Sequence, residues 1–351
     1  MKKSRIIAMF LVTLLLTTSI IGCGQKQVSS TENTTTNSDS NIENQPADIN
    51  DETEKLPDFI INETDTSVTY VNPLDEEVTI TKNPKKVIVL MNSILDIWYL
   101  AGGEAIARVS GTTNVPEAAI DIAQVGKVNG PSIEKILELQ PDLVILSSTR
   151  SQHVEMKEIL ADNDIELAYV DISNDPYKRF NDTLKLFTMI TDRDDIYNTR
   201  INEIQTKVDE ICSKVQEEKQ PSVVILFGST KYVKAELPCG LVGNMVELFG
   251  AKNIIQGSPI EGSSKIDFSL ETIIKEDPDV VLIVTMGDID KVKERLNSDI
   301  ESNEAWATLS AVKNKRVFYL PNELFHYKPN ARYPEAFQYL GELLYPQVFK
   351  K

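Results

Sequence analysis

Apolar residues along this chain come in patterns that name their own elements. Short all-aliphatic bursts, VIVL (87–90), LVIL (143–146), VVIL (223–226) and VVLIV (280–284), read as strands covered on both faces. Apolar positions at helical spacing surround them, as in SILDIWYLAGG (93–103) and LVGNMVELFG (241–250). One phrase occurs twice: SIEKILELQPDLVIL (132–146) and SLETIIKEDPDVVLI (269–283) share six of fifteen positions. In each copy a serine stands at a helix N-cap position (Ser132, Ser269), and apolar residues follow at matching steps (Ile133, Ile136, Leu137; Leu270, Ile273, Ile274). A Pro-Asp pair then stops the helix and a buried parallel strand follows.

The upstream elements correspond as well. Residues 85–103 read as strand, turn at Asn92 and Ser93, and helix closed by glycines. Residues 222–230 and 241–255 repeat that plan with a longer loop between. The pattern predicts an α/β protein of two similar lobes with central parallel sheets. An N-terminal lobe spans 57–175, including a leading hairpin at 67–81, and a C-terminal lobe spans 221–351. Connecting helices fill 176–220. There Tyr197, Ile201, Ile204, Val208, Ile211 and Val215 form one stripe, and no Pro or Gly interrupts 193–219. Such a helix would be about 35–40 Å long. A dimer seam would use the same stripe; a strut packed against both lobes is the expectation.

The first 56 residues follow other rules. Lys2, Lys3 and Arg5 precede an apolar run from Ile6 to Ile21, shorter than the roughly 20 residues of a membrane span and suited to a signal peptide over 1–22. Its end, Ile20-Ile21-Gly22-Cys23, resembles the lipobox of bacterial lipoproteins, with Cys23 as the lipidated residue, and two acyl chains anchor stably where one is marginal. Residues 24–56 are Ser, Thr, Asn and acid with almost nothing to bury, a tether reaching roughly 30 Å as a random coil. The expected location is the extracytoplasmic face of a cell membrane, Gram-positive in style.

Composition narrows the function. A formal charge of −17, becoming −20 once the leader's three cations are removed, opposes nucleic-acid binding. Cys212 and Cys239 remain after Cys23 and are expected as free thiols. No GxSxG, HExxH or GxGxxG occurs, and GSPIEGSS (257–264) has serine where a phosphate loop needs lysine, so no enzyme is expected. His153 and His326 are the only histidines, too few for a tight bare-metal site; His153 is expected on the surface. Ligands of open α/β sheets lie at the C-terminal strand ends. The polar groups available there are Asn92, Arg150, Lys231, Tyr232, Met286 and the loop with His326, Tyr327, Lys328 and Arg332, with Lys127 nearby. These cations suit an anionic ligand; solvated loop charge is the alternative.

NPKKVIVL (83–90), the paired SIE…PDLVIL and SLE…PDVVLI, AVKNKRVFYL (311–320) and PEAFQYLGELLYP (334–346), behind a lipobox and tether, resemble the substrate-binding lipoproteins of ABC importers for iron–siderophores, haem and cobalamin. The resemblance covers 67–346. It implies a receptor without a resident cofactor, capturing a metal chelate between its lobes and delivering it to a permease dimer with ATPase subunits. It also implies docking through one acid per lobe, here Glu134 and Glu271; a first-turn acid equally serves the helix dipole. A ferric siderophore is the expected ligand, with haem or cobalamin as alternatives and an enzyme or adhesive lipoprotein as different classes. Haem would need axial ligands. His326, Tyr327, Met286 and Cys239 are available, but the two positions some haem-binding members use fall at Asn129, a poor ligand, and Met286.

Overall fold

The structure is a computed structural model that describes residues 57–260 and 262–350; the leader, Cys23 and the tether lie outside them. The described part opens with three antiparallel strands, β1 (Ile60–Glu63), β2 (Ser67–Val71) and β3 (Glu77–Thr81), so the hairpin gains a third strand. The first lobe contains β4 (Val87–Val89), α1 (Asn92–Leu100), β5 (Ala107–Arg108), β6 (Ala123–Gln124), a small hairpin of β7 (Gly126–Lys127) and β8 (Gly130–Pro131), α2 (Ile133–Leu139), β9 (Leu143–Ser147), α3 (Ser151–Glu155), α4 (Lys157–Ala161) and β10 (Glu166–Val170). Its sheet has the order β10-β9-β4-β5-β6 and is parallel throughout.

Helices α5 (Pro176–Ile190) and α6 (Asp194–Ser213) lead to the second lobe. It contains β11 (Ser222–Ser229), β12 (Val233–Glu236), α7 (Leu241–Leu248), β13 (Lys252–Asn253), β14 (Lys265–Ile266), α8 (Leu270–Glu276), β15 (Val280–Met286), α9 (Ile289–Leu296), α10 (Ser310–Lys313), β16 (Val317–Tyr319), α11 (Asn322–Phe325), α12 (Tyr333–Leu344) and α13 (Pro346–Phe349). Here β13, β15 and β16 are the parallel strands around β11, and β12 and β14 extend the sheet antiparallel. The loop expected between β11 and α7 therefore carries a strand.

The repeated phrase forms α2–β9 and α8–β15. Both helices end on a left-handed residue just before the proline, Gln140 (φ 49°) and Asp277 (φ 42°). The Ser132 side chain accepts from the Lys135 amide at 3.3 Å, whereas Ser269 has the same extended backbone without that bond. The aspartates of the two Pro-Asp pairs do matching work. Asp142 accepts from the Lys85 and Lys86 amides at 2.7 and 2.9 Å, just before β4. Asp279 accepts from the Ser222 amide and hydroxyl at 2.8 and 3.0 Å, at the start of β11. Each carboxylate thus ties the end of a repeat helix to the first strand of its lobe.

The strands alternate between two cores. Val87, Val89, Leu143 and Ile145, with Val223, Ile225, Val280 and Leu282 of the other lobe, face the connecting helices; Ile88, Val144, Val224 and Val281 face outward under the remaining helices. The inward core is continuous from lobe to lobe through Phe180, Leu184, Phe187 and Ile190 of α5 and Ile201, Ile204, Val208 and Ile211 of α6. Two points of the strut expectation change. The helix stops at Ser213, about 30 Å long at twenty residues, because the segment after it folds into turns. The span is shared: α5 packs on α1 and on α7, and α6, laid against α5, meets the first lobe where Ile196 stands beside Gly102 and the second lobe at α12. Among the described residues, no helix is long and apolar enough to cross a membrane.

Candidate functional site

A cleft of about 710 Å³ opens between the lobes at the C-terminal ends of both sheets. One wall comes from the N-terminal lobe: Met91, Asn92 and Ser93 at the start of α1, the loop from Val109 to Asn114, and Ser147, Thr149 and Arg150 after β9. The other comes from Phe227, Tyr232 and Glu236, the segment Gly262–Lys265, Val284 and Met286, and Phe325 to Lys328. The cleft therefore brings together Asn92, Arg150, Tyr232, Met286, His326, Tyr327 and Lys328, as the strand-end argument anticipates.

Two predicted cleft residues lie elsewhere. Lys231 is exposed on the turn after β11 and does not line the cavity. Arg332 is exposed at the start of α12, where its guanidinium donates to both oxygens of Glu335 at 2.7 and 2.8 Å. Helix geometry explains it, since position i+3 offers a nearer anion than any ligand. Lys127 and Asn129 are likewise exposed outside the lining, and Cys239 lies beside it, packed under the second lobe with its thiol pushed up by burial. Cys212 and Cys239 are both free.

His153 is a correction. It is buried, not at the surface: its Nδ1 accepts from the Ser147 amide at 3.1 Å and its Nε2 donates to the Val128 carbonyl at 2.9 Å. Burial lowers its basicity and that pattern of bonds is the neutral tautomer. His153 thereby fixes the end of β9, next to Arg150.

The second wall carries the chemistry that the sequence alone concealed. Glu236 is 1% exposed, and its carboxylate accepts from the Val242 and Gly243 amides at 2.7 and 3.2 Å, in the first turn of α7. Lys265 reaches the same carboxylate at 3.7 Å while its ammonium stands 4.8 Å above the Phe227 ring. That ring is 5.7 Å from His326 and 6.4 Å from Tyr232, and His326 is 4.7 Å from Tyr327. His326 is held neutral by burial and by the nearby Lys265. Burial also pulls the Lys328 ammonium down to about 8, against the opposing pull of Glu236. Glu236 escaped notice because a lone acid in KAELPCG reads as loop; its neighbours Ala235 and Leu237, both apolar, were the available signal of a strand. Lys265 directly follows GSPIEGSS, whose only recognisable pattern is the broken phosphate loop.

The loop after β16 is also bonded across the cleft. Asn114 donates to the Lys328 carbonyl at 2.7 Å, and Asn330 donates to the Ser93 carbonyl at 2.9 Å and to Asp96 Oδ2 at 2.8 Å. Among the described residues, no group of three or more His, Cys, Asp or Glu side chains is placed to hold a metal ion. Away from the cleft, Glu134 and Glu271 are exposed at the second residue of α2 and α8, one on each lobe.

Two α/β lobes sharing a helical back and facing each other across a ligand-sized cleft define the bilobal architecture of a binding protein. The chain belongs to the periplasmic binding protein family, whose model matches residues 87–324. It is 25% identical over 293 residues, covering 81% of this chain and 87% of the relative, to the uncharacterized ABC transporter substrate-binding lipoprotein YvrC of Bacillus subtilis. It is 22% identical over 250 residues, covering 68% and 80%, to the high-affinity heme uptake system protein IsdE of Staphylococcus aureus. Its fold superposes with TM-score 0.64, at 19% identity over 79% of this chain and 98% of the other, on Staphylococcus aureus SirA complexed with staphyloferrin B. These matches bear out the resemblance to the substrate-binding proteins of ABC transporters in the iron–siderophore and haem group.

Proposed function

We propose that this protein is the extracytoplasmic receptor of an ABC importer and captures a ferric chelate of the siderophore type between its lobes. The observation that carries the reading is the cleft itself: its volume suits a small organic ligand, and both walls offer hydrogen-bonding, cationic and aromatic groups. Capture here needs no bond-making. Shape, stacking on Phe227, Tyr232 and Tyr327, and charge-assisted hydrogen bonds supply the affinity. Haem is the second reading, favoured by Met286 and His326 lining one cavity and by the name of the IsdE relative.

Glu134 and Glu271, presented by matching helices of the two lobes, serve a roughly two-fold permease dimer, and lipidation at Cys23 holds the receptor at the membrane. The test is a tryptophan-fluorescence titration of the full-length chain in detergent against ferric siderophores, haemin and cobalamins. Saturable submicromolar quenching by a ferric siderophore is expected; a haemin complex with an axial-ligand absorption signature would move the assignment to haem, and no binding by any of them would reject the reading. Charge reversal at Glu134 and Glu271 should stop uptake in cells while leaving that titration unchanged.

A further inference from the structure

Helices α1 and α7 hold equivalent places in the two lobes. α1 follows β4 directly and α7 follows β11 after the intervening β12, and each starts at the cleft. At α7 the protein provides its own anion, since the buried Glu236 carboxylate accepts from two successive amides of the first turn. At α1 it provides none. The first turn has no acidic residue, and Met91 at the N-cap makes no side-chain bond to it. The Ile94 amide turns back to the Met91 carbonyl at 3.0 Å, which leaves the adjacent Asn92 and Ser93 amides as the ones facing outward without a partner in the helix.

The side chains around that start point to what completes it. Asn92 Oδ1, Ser93 Oγ and Arg150 Nε are each shielded from solvent and without a hydrogen-bond partner, and all three residues line the cleft. Shielded polar atoms of this kind cost free energy until they are paired. The charge balance agrees: Arg150, Lys265 and Lys328 face a single carboxylate, Glu236, in the lining. A protein of formal charge −17 thus presents a cationic cleft.

We infer that the ligand is a carboxylate-bearing chelate whose free carboxylate docks at the start of α1 against Arg150, in the place the Glu236 carboxylate takes at α7. Lys265 and Lys328 take its remaining negative charge from the opposite wall. This deepens, and rests on, the reading of the cleft as a chelate site. A carboxylate suits the α1 position because it accepts two adjacent N–H groups and a guanidinium at once. In a ferric tris-catecholate every phenolate oxygen is committed to iron, and a ferric trishydroxamate is neutral; neither offers that group.

The test titrates the full-length chain in detergent with ferric citrate at large citrate excess, a ferric tris-catecholate and a neutral ferric trishydroxamate. Ferric citrate should bind at least tenfold more tightly than the other two. Asn92→Asp, which builds a carboxylate into α1 as Glu236 is built into α7, should weaken ferric citrate at least tenfold without lowering the melting temperature, because a first-turn acid favours the helix dipole. Arg150→Met should weaken it similarly, with partial recovery in Arg150→Lys. Preference for the catecholate or the hydroxamate, or unchanged citrate affinity in Asn92→Asp, would overturn the carboxylate assignment and leave the chelate receptor standing. Failure of all three chelates would remove both.

Discussion

Replacing Asn330 with alanine breaks the junction between the lobes in two ways at once. The residue is 1% exposed, its side chain donates to the Ser93 carbonyl and to the Asp96 carboxylate, and its backbone is left-handed at φ 49°. Losing a neutral hydrogen bond costs about 1 kcal/mol and losing one to a charged group about 1.5–3 kcal/mol. Forcing alanine into the left-handed region adds about 1 kcal/mol. The sum, about 3.5–5 kcal/mol, corresponds to a fall in melting temperature of roughly 7–20 °C for a domain of this size. Asn330→Gly separates the terms, because glycine accepts that backbone conformation and loses only the bonds; it should melt above the alanine variant and below the parent. Circular dichroism melts of the three proteins measure both differences. A shift under 2 °C for alanine, or a glycine variant no more stable than alanine, would refute the claim that this side chain latches the lobes.

Two further outcomes follow from the same geometry. Lys328, pulled down to about 8 by burial between Lys265, Glu236 and Asp171, should make binding of an anionic chelate constant up to about pH 7.5 and weaker above pH 8, and Lys328→Met should flatten that profile; isothermal titration from pH 6.5 to 9.5 reads it. The stability contribution has the opposite sense. The unfolded chain holds this proton up to about 10.4, so it binds more protons than the folded chain between about 8 and 10.4, and the Lys328 contribution to stability rises with pH in that window. Asp142→Ala and Asp279→Ala should each cost about 2–4 kcal/mol in urea unfolding, since each strips a charged acceptor from two donors, and the double variant should show the sum because the sites sit in different lobes.

The fold was legible where a residue's neighbours in sequence are its neighbours in space. Ser132 to Leu146 and its copy spell out helix, stop and strand by local rules, and their aliphatic runs announce strands covered on both faces. The stripe from Tyr197 to Val215 showed a buried helix, yet nothing in it said that α5 would also span both lobes; that depends on which faces the sheets leave open. The cleft was half legible for the same reason. Strand-end logic finds Asn92, Arg150 and Met286, whose positions follow from their strands. It cannot find Glu236 and Lys265, which meet only because β12 pairs with β14, nor can it see that Arg332 would be claimed by Glu335. His153 looked like a surface residue because its two partners, Ser147 and the Val128 carbonyl, come from separate segments.

Whether one ligand is held by both lobes is read out by residue-resolved hydrogen exchange with and without the chelate that the titration selects. Capture between the lobes should slow exchange on both walls together, at 109–114 and 147–150 of the first lobe and at 262–265 and 325–328 of the second, with β1–β3 unchanged. Protection confined to one lobe, or centred on the groove that Asp75 shares with Arg179 and Asp182 of α5, would contradict capture between the lobes.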